Sequence, residues 1–254
     1  MITKHIPNAI TSMNLLCGVA GVISVLSLGD VRVAFILMLA ASVFDFCDGL
    51  AARLLHAYSD IGKELDSLAD MVSFGVLPAV MLFTTYRKFG TPGDESWPRL
   101  CLAAVPLLIA AFSALRLAKF NVDTRQSSSF IGLPTPACAI ICASLAVTAD
   151  KASPRFLEGL CGTAWFIPVI SAILCLLLIS EIPMFSFKIG GHGKAARRTI
   201  VQRAAFFVVA IVSAAACLLT RTTWEAAVLA TFTGYVLICV ICLPLPSEAP
   251  GNRP

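Results

Sequence analysis

Eight uninterrupted apolar stretches decide what this chain can fold into. They lie at roughly 8–28, 32–52, 66–86, 99–119, 131–149, 159–180, 200–220 and 224–243. Each is close to the length of about 20 helical residues that crosses a bilayer core. Only α-helices and closed β-barrels satisfy every backbone polar group in lipid. A barrel strand alternates polar and apolar residues, and these runs do not. The sequence therefore predicts an all-α polytopic membrane protein with eight spans and no room for a soluble domain. Charge agrees with this reading. Of 254 residues 58% are hydrophobic and 13% charged, with a mean hydropathy of +0.87, whereas soluble domains carry about 25% charged residues. Disorder and coiled coil require more polar sequence. The first stretch lacks a strongly basic leader and carries Asn8, Thr11 and Asn14, so it reads as a span and not as a cleaved signal.

All 10 cysteines fall within or at the ends of apolar runs, where free Cys packs as a small hydrophobe. Cys239 and Cys242 form a CxxC, but no second pair has zinc-site spacing. With eight spans both termini share a side. Most of the 19 basic residues fall on that side, which the positive-inside rule makes cytoplasmic. The expected location is the cell (plasma or inner) membrane. The longest loop on the cytoplasmic side, 181–199, is basic and glycine-rich. Its basic residues suit anionic headgroups. The tail after Pro244 is proline-rich and reads as disordered.

Against this scarcity of charge, four acids stand where lipid is expected. Asp45 and Asp48 lie near the end of the second stretch, and Asp66 and Asp70 near the start of the third. A charge at mid-span costs about 2.5–3.5 kcal/mol on insertion scales, and four like charges repel each other. Asp45, Asp48 and Ala52 follow i, i+3, i+7, while Gly62, Asp66 and Asp70 follow i, i+4, i+8, so each trio shares a helical face. A short turn separates them, which predicts antiparallel neighbours with two carboxylate stripes meeting near one interface. Gly49 and Gly62 clear space beside the acids, and Arg53 brings a permanent cation to the same level. Hard oxygen ligands in such a group suit Mg²⁺ or Mn²⁺, and four carboxylates can hold two divalent ions. Zinc is disfavoured, because no His or Cys pair is phased with the acids. The plain alternative, solvated interfacial acids in ion pairs, suits Asp60, Lys63 and Glu64 but not the four buried ones.

From Asp45 the chain reads DFCDGLAARLLHAYSDIGKELDSLAD. This spacing of Asp, Asp-Gly, Ala-Arg, Gly, Asp and Asp resembles the signature of the CDP-alcohol phosphatidyltransferase family at every required position. IPNAITSMNLLCG near the N-terminus, RLAKFNVD at 116–123, FIGLPTPA at 130–137 and IPMFSFK at 182–188 look like the membrane-integrated phosphatidylserine synthases within it. The resemblance implies a six-helix core over 1–188, with 189–254 adding a basic loop, two further helices and the tail. It implies transfer of a phosphatidyl group from CDP-diacylglycerol to the hydroxyl of L-serine, with release of CMP. It implies a homodimer in the lipid bilayer and no nucleic-acid partner. Mapped onto this chain, Asp45, Asp48 and Asp66 are metal ligands. Asp70 is the general base, with a possible metal contact. Gly49, Ala52, Arg53 and Gly62 belong to the nucleotide and phosphate site. Asn8, Thr11 and Asn14, at near-helical spacing, suit either that nucleotide or hydrogen bonds between helices.

Serine needs a cation for its carboxylate. Arg116, Lys119 and Asn121 at the end of the fourth stretch, and Arg125 just beyond, are the candidates. Snorkelling anchors are the bland alternative for the first two. Where the subfamily often has Arg, this chain has Lys119, which keeps charge but loses bidentate geometry. Two other functions compete: a family enzyme with a glycerol 3-phosphate or inositol phosphate acceptor, and a cation transporter. The transporter is disfavoured, because the acids sit at an interface and no inverted repeat is evident.

Overall fold

The computed structural model describes residues 5–57, 59–89, 96–122, 130–151, 154–184 and 197–242. Eleven α-helices form among them: α1 (His5–Ile23), α2 (Val31–Leu54), α3 (Asp60–Asp70), α4 (Leu77–Lys88), α5 (Trp97–Ala104), α6 (Leu108–Val122), α7 (Thr135–Asp150), α8 (Arg155–Cys161), α9 (Phe166–Ile179), α10 (Arg197–Thr220) and α11 (Trp224–Ile241). Short π-helical turns extend α1 through Ser24–Leu28 and join α3 to α4 through Met71–Val76, while a 3₁₀ turn joins α5 to α6. A two-residue antiparallel pairing, Phe130–Ile131 with Pro183–Met184, is the sole sheet among the described residues.

Six helical stretches are long and apolar enough to cross a membrane, or seven if α7 and α8, bent by 105°, count as one span. The fold class is thus the expected one, and the count of eight is not reached. The shortfall falls on the fifth and sixth stretches, for local reasons. Pro134 disfavours helix at Leu133 before it and is itself the extended N-cap, while Pro136 is accommodated in the first turn, so α7 starts at Thr135 instead of 131. A break after Cys161 delays α9 to Phe166 and leaves it 14 residues long. Large exposed apolar side chains such as Leu26, Ile36, Val43, Leu115, Leu176, Ile211 and Leu218 are distributed over the helices, as a lipid-facing exterior requires.

The centre of the bundle is α7. Its sequence, TPACAIICASLAVTAD, is mostly small residues, and all but three are buried. Small side chains let neighbouring backbones approach closely in a membrane. It packs against α4, α11 and α2. The α1–α2 hairpin turns at Gly29, in the left-handed region at φ +67°, and Asp30 caps α2 by accepting hydrogen bonds from the Arg32 and Val33 amides. None of the 10 cysteines is in a disulfide.

Candidate active site

The two acidic helices meet through a third. Both α2 and α3 pack against α1 more extensively than against each other, so α1 lies along the acids and supplies polar groups to them. The Thr11 hydroxyl donates to Asp48 Oδ2 at 2.5 Å, and Asn14 Nδ2 donates to Asp70 Oδ1 at 3.1 Å. Glycine permits this fit: a Cβ at Gly18 would lie 2.4 Å from Ser73 Oγ and 2.9 Å from Ser73 Cα. The Ser73 hydroxyl in turn donates to the Asn14 carbonyl. The sequence leaves Thr11 and Asn14 open between nucleotide contact and hydrogen bonding between helices, and both make bonds to another helix. The structure places Thr11 at a cavity and Asn14, fully buried, against Asp70.

Carboxylate oxygens of Asp45, Asp48 and Asp66 all lie within 4.8 Å of one another. Among the described residues none of the four acids has an ion pair, and buried Asp66 Oδ1 has no hydrogen-bond partner. Three converging carboxylates without a cation repel strongly, and an orphaned acceptor inside a protein is costly. An oxygen donor set of this kind fits a hard divalent cation such as Mg²⁺ or Mn²⁺.

Two cavities flank the acids. The smaller, about 200 Å³, is lined by Asn8, Thr11, Asp48, Gly49, Ala52, Gly62 and Asp66, with Lys63 at its edge. A Cβ at Gly49 would meet nothing within 4 Å, whereas one at Gly62 would lie 2.9 Å from Ser59 Oγ and 3.1 Å from Asn8 Oδ1. Gly49 therefore borders open space, and Gly62 is required by packing as well. Arg53 is exposed and is not among the lining residues; its Nε donates to the Gly49 carbonyl. The larger cavity, about 450 Å³, holds Asp45 and Asp70 together with Arg116, Thr135 and Tyr235, and the rest of its lining is apolar.

Arg116 reaches this cavity because α6 packs on the turn that follows Asp70. A Cβ at Gly75 would lie 3.1 Å from Ser113 Cβ, and Arg116 is one turn beyond Ser113. The guanidinium is buried; Nη1 donates to Thr135 Oγ1 at 2.9 Å and Nε has no partner. Thr135 is held by the segment before it. Gly132, at φ +77°, has its missing Cβ position 2.7 Å from the Ser180 carbonyl oxygen, and the Leu133 amide donates to the Leu177 carbonyl. Lys119 and Asn121 are not among the residues that line either cavity. Lys119 Nζ lies 4.0 Å from Glu181. Asn121 ties α6 to α3, donating to Ser67 Oγ and accepting from Lys63 through its carbonyl. Arg125, most of the basic loop and the tail lie outside the described residues. Thr135 and the aromatic residues of α10 and α11 at the larger cavity were not singled out from sequence.

A bundle of apolar helices with three clustered aspartates between a polar and a largely apolar cavity suits a membrane enzyme that handles a phosphate-bearing lipid, and the comparisons give its class. The profile described as CDP-alcohol phosphatidyltransferase matches residues 4–178, and the chain belongs to that family. It is similar to the CDP-diacylglycerol–serine O-phosphatidyltransferase of Bacillus subtilis strain 168, 32% identical over 186 residues, which cover 73% of this chain and 92% of the relative. The enzyme of the same name from Helicobacter pylori strain 26695 is 34% identical over 185 residues, 72% of each chain. The archaetidylserine synthase of Methanothermobacter thermautotrophicus is 33% identical over 148 residues, 56% of this chain and 58% of that one.

Proposed function

We propose that this protein transfers the phosphatidyl group of CDP-diacylglycerol to the hydroxyl of L-serine, releasing CMP. The observation that carries the reading is the placement of Asp70 and Arg116 in one cavity that also reaches the three-acid cluster. The relatives' names supply the donor and the acceptor.

Asp45, Asp48 and Asp66, with Asp70 in contact, would hold two divalent ions, Mg²⁺ or Mn²⁺. Such ions neutralise a diphosphate and stabilise charge on the departing CMP. The smaller cavity takes the cytidine nucleotide, with Gly49 and Ala52 leaving it room and Arg53 and Lys63 near its rim for phosphate. Asn14 fixes Asp70 through Oδ1, which leaves Oδ2 to accept the serine hydroxyl proton. The serine oxygen then bonds to the phosphatidyl phosphorus as the bond from phosphorus to the CMP oxygen breaks. Arg116, anchored on Thr135 with Nε unused, binds the serine carboxylate.

Residues 1–188 act as the catalytic core and 189–254 as an adjunct. The site faces the cytoplasm with both termini on that side, since Arg53, Lys63, Arg116 and Lys119 all lie at the acid end, where the positive-inside rule places cations. The enzyme works as a homodimer. The test is CMP release from CDP-diacylglycerol with serine, glycerol 3-phosphate, inositol phosphate or no acceptor, in wild type and Asp70→Ala. Release that depends on serine and is lost in the variant supports the reading. Release with another acceptor, or none with any, sinks it.

A further inference from the structure

Helices α10 and α11 lie beyond the family match at 4–178, yet they complete the larger cavity. Phe206 from α10 and Phe232 and Tyr235 from α11 face Ala137 and Ile140 of α7 across it. The three rings form an edge-to-face group, with Phe206 6.4 Å from Phe232 and 6.1 Å from Tyr235 between centroids. The hairpin is fastened to the core at its other end. Fully buried Glu225 accepts from Arg32 Nε at 2.9 Å, and Trp224 stacks on Phe35 at 5.4 Å. Arg32 and Asp45 are about 20 Å apart along α2, so this attachment fixes the wall without occupying the site.

We infer that this aromatic wall is the hydrocarbon subsite for the lipid donor, seating the upper part of an acyl chain while the diphosphate lies at the acids. The inference rests on the donor proposed above. Three observations select a chain over the acceptor. The cavity, about 450 Å³, is in the range of sites for drug-sized ligands, about 300–1,000 Å³, and serine alone leaves most of it empty. Its polar groups are Asp45, Asp70, Arg116, Thr135 and the Tyr235 hydroxyl, and the remaining lining residues, Phe206 and Phe232 among them, are apolar. The apolar part is continuous with the acids, as an acyl chain is with its own phosphate. A chain entering from the bilayer leaves one apolar medium for another, so burial itself supplies little. The rigid rings therefore act by shape, selecting chain length and unsaturation and setting the lipid phosphorus against Asp70.

The test uses the full chain in nanodiscs with a CDP-diacylglycerol bearing a diazirine partway along one acyl chain. Photolabel on Phe206, Phe232 or Tyr235 that unlabelled CDP-diacylglycerol competes away supports the subsite; label on outward-facing Ile211 and Leu218, not competed, is the bulk-lipid background. Competable label confined to helices other than α10 and α11 overturns it. No competable label anywhere overturns the donor assignment itself. Kinetics give a second readout in the double variant Phe206→Leu, Phe232→Leu, which keeps the wall apolar. KM for a dioleoyl donor should rise about 3- to 10-fold, the span of one or two lost packing contacts, with a dihexanoyl donor and serine unaffected. A rise in serine KM alone would assign the wall to the acceptor and refute the subsite.

Discussion

Replacing Arg116 with alanine should raise the KM for serine far more than that for CDP-diacylglycerol. The guanidinium is only 8% exposed, is pinned by Thr135 at 2.9 Å and has Nε without a partner inside the cavity that holds Asp70. Truncating one member of a buried, hydrogen-bonded charge pair costs about 2–5 kcal/mol. The cavity is not sealed, so the lower part of that range applies, about 2–3 kcal/mol, which is about 30- to 150-fold in serine KM. Arg116→Lys keeps the charge and loses the planar fork, and about 1 kcal/mol, or fivefold, is expected. The assay is CMP release under saturating donor with serine varied, then the reverse, with thermal unfolding in detergent to exclude a folding defect. Equal increases in both KM values, or a rise confined to the donor, would show that Arg116 grips the lipid phosphate and that the acceptor site lies elsewhere.

Thr135→Val removes the anchor of Nη1 and should raise serine KM by about 2- to 10-fold, the worth of one hydrogen bond, with donor KM unchanged in the same assay. EDTA should abolish CMP release and excess Mg²⁺ or Mn²⁺ restore it, whereas Ca²⁺, which takes more and longer bonds, should restore less; activity that survives chelation removes the metal role of Asp45, Asp48 and Asp66. Gly18→Ala drives a methyl into Ser73 and should destabilise the fold by about 1–3 kcal/mol, read as a lower melting temperature together with reduced turnover through the loosened Asn14–Asp70 contact. Arg32→Ala leaves Glu225 buried and unpaired; because Arg32 is half-exposed, about 2–3 kcal/mol is expected instead of the full cost of breaking a buried pair, seen as earlier protease cleavage within 197–242.

The acids were readable in advance because their spacing is a local property: i, i+3 and i, i+4 set a helical face whatever surrounds it. The elements that complete the site were not local. Thr11 and Asn14 had the spacing to share a face, but their choice of Asp48 and Asp70 depends on α1 seating against Ser73, a contact 59 residues away along the chain. Arg116 and Lys119 were equal candidates in sequence, three residues apart on one helix. The approach of Ser113 to Gly75 turns Arg116 inward, and Glu181 engages Lys119. Hydropathy also marked the fifth and sixth stretches as ordinary spans. It carries no penalty for Pro134 or for the break at Gly162, which shorten α7 and α9.

The involvement of α1 also bears on how the enzyme is made. Thr11, Asn14 and all four acids lie within the first 70 residues, so the acidic cradle can assemble once the ribosome has delivered the first three hydrophobic helices. Arg116 and Thr135 arrive next, and Phe206, Phe232 and Tyr235 come last. The charged half of the site is synthesised before the apolar half that separates it from surrounding lipid. Helices that insert in chain order would leave the aspartates with one flank uncovered until α10 and α11 arrive, so the C-terminal hairpin is the part of the chain that encloses the site last.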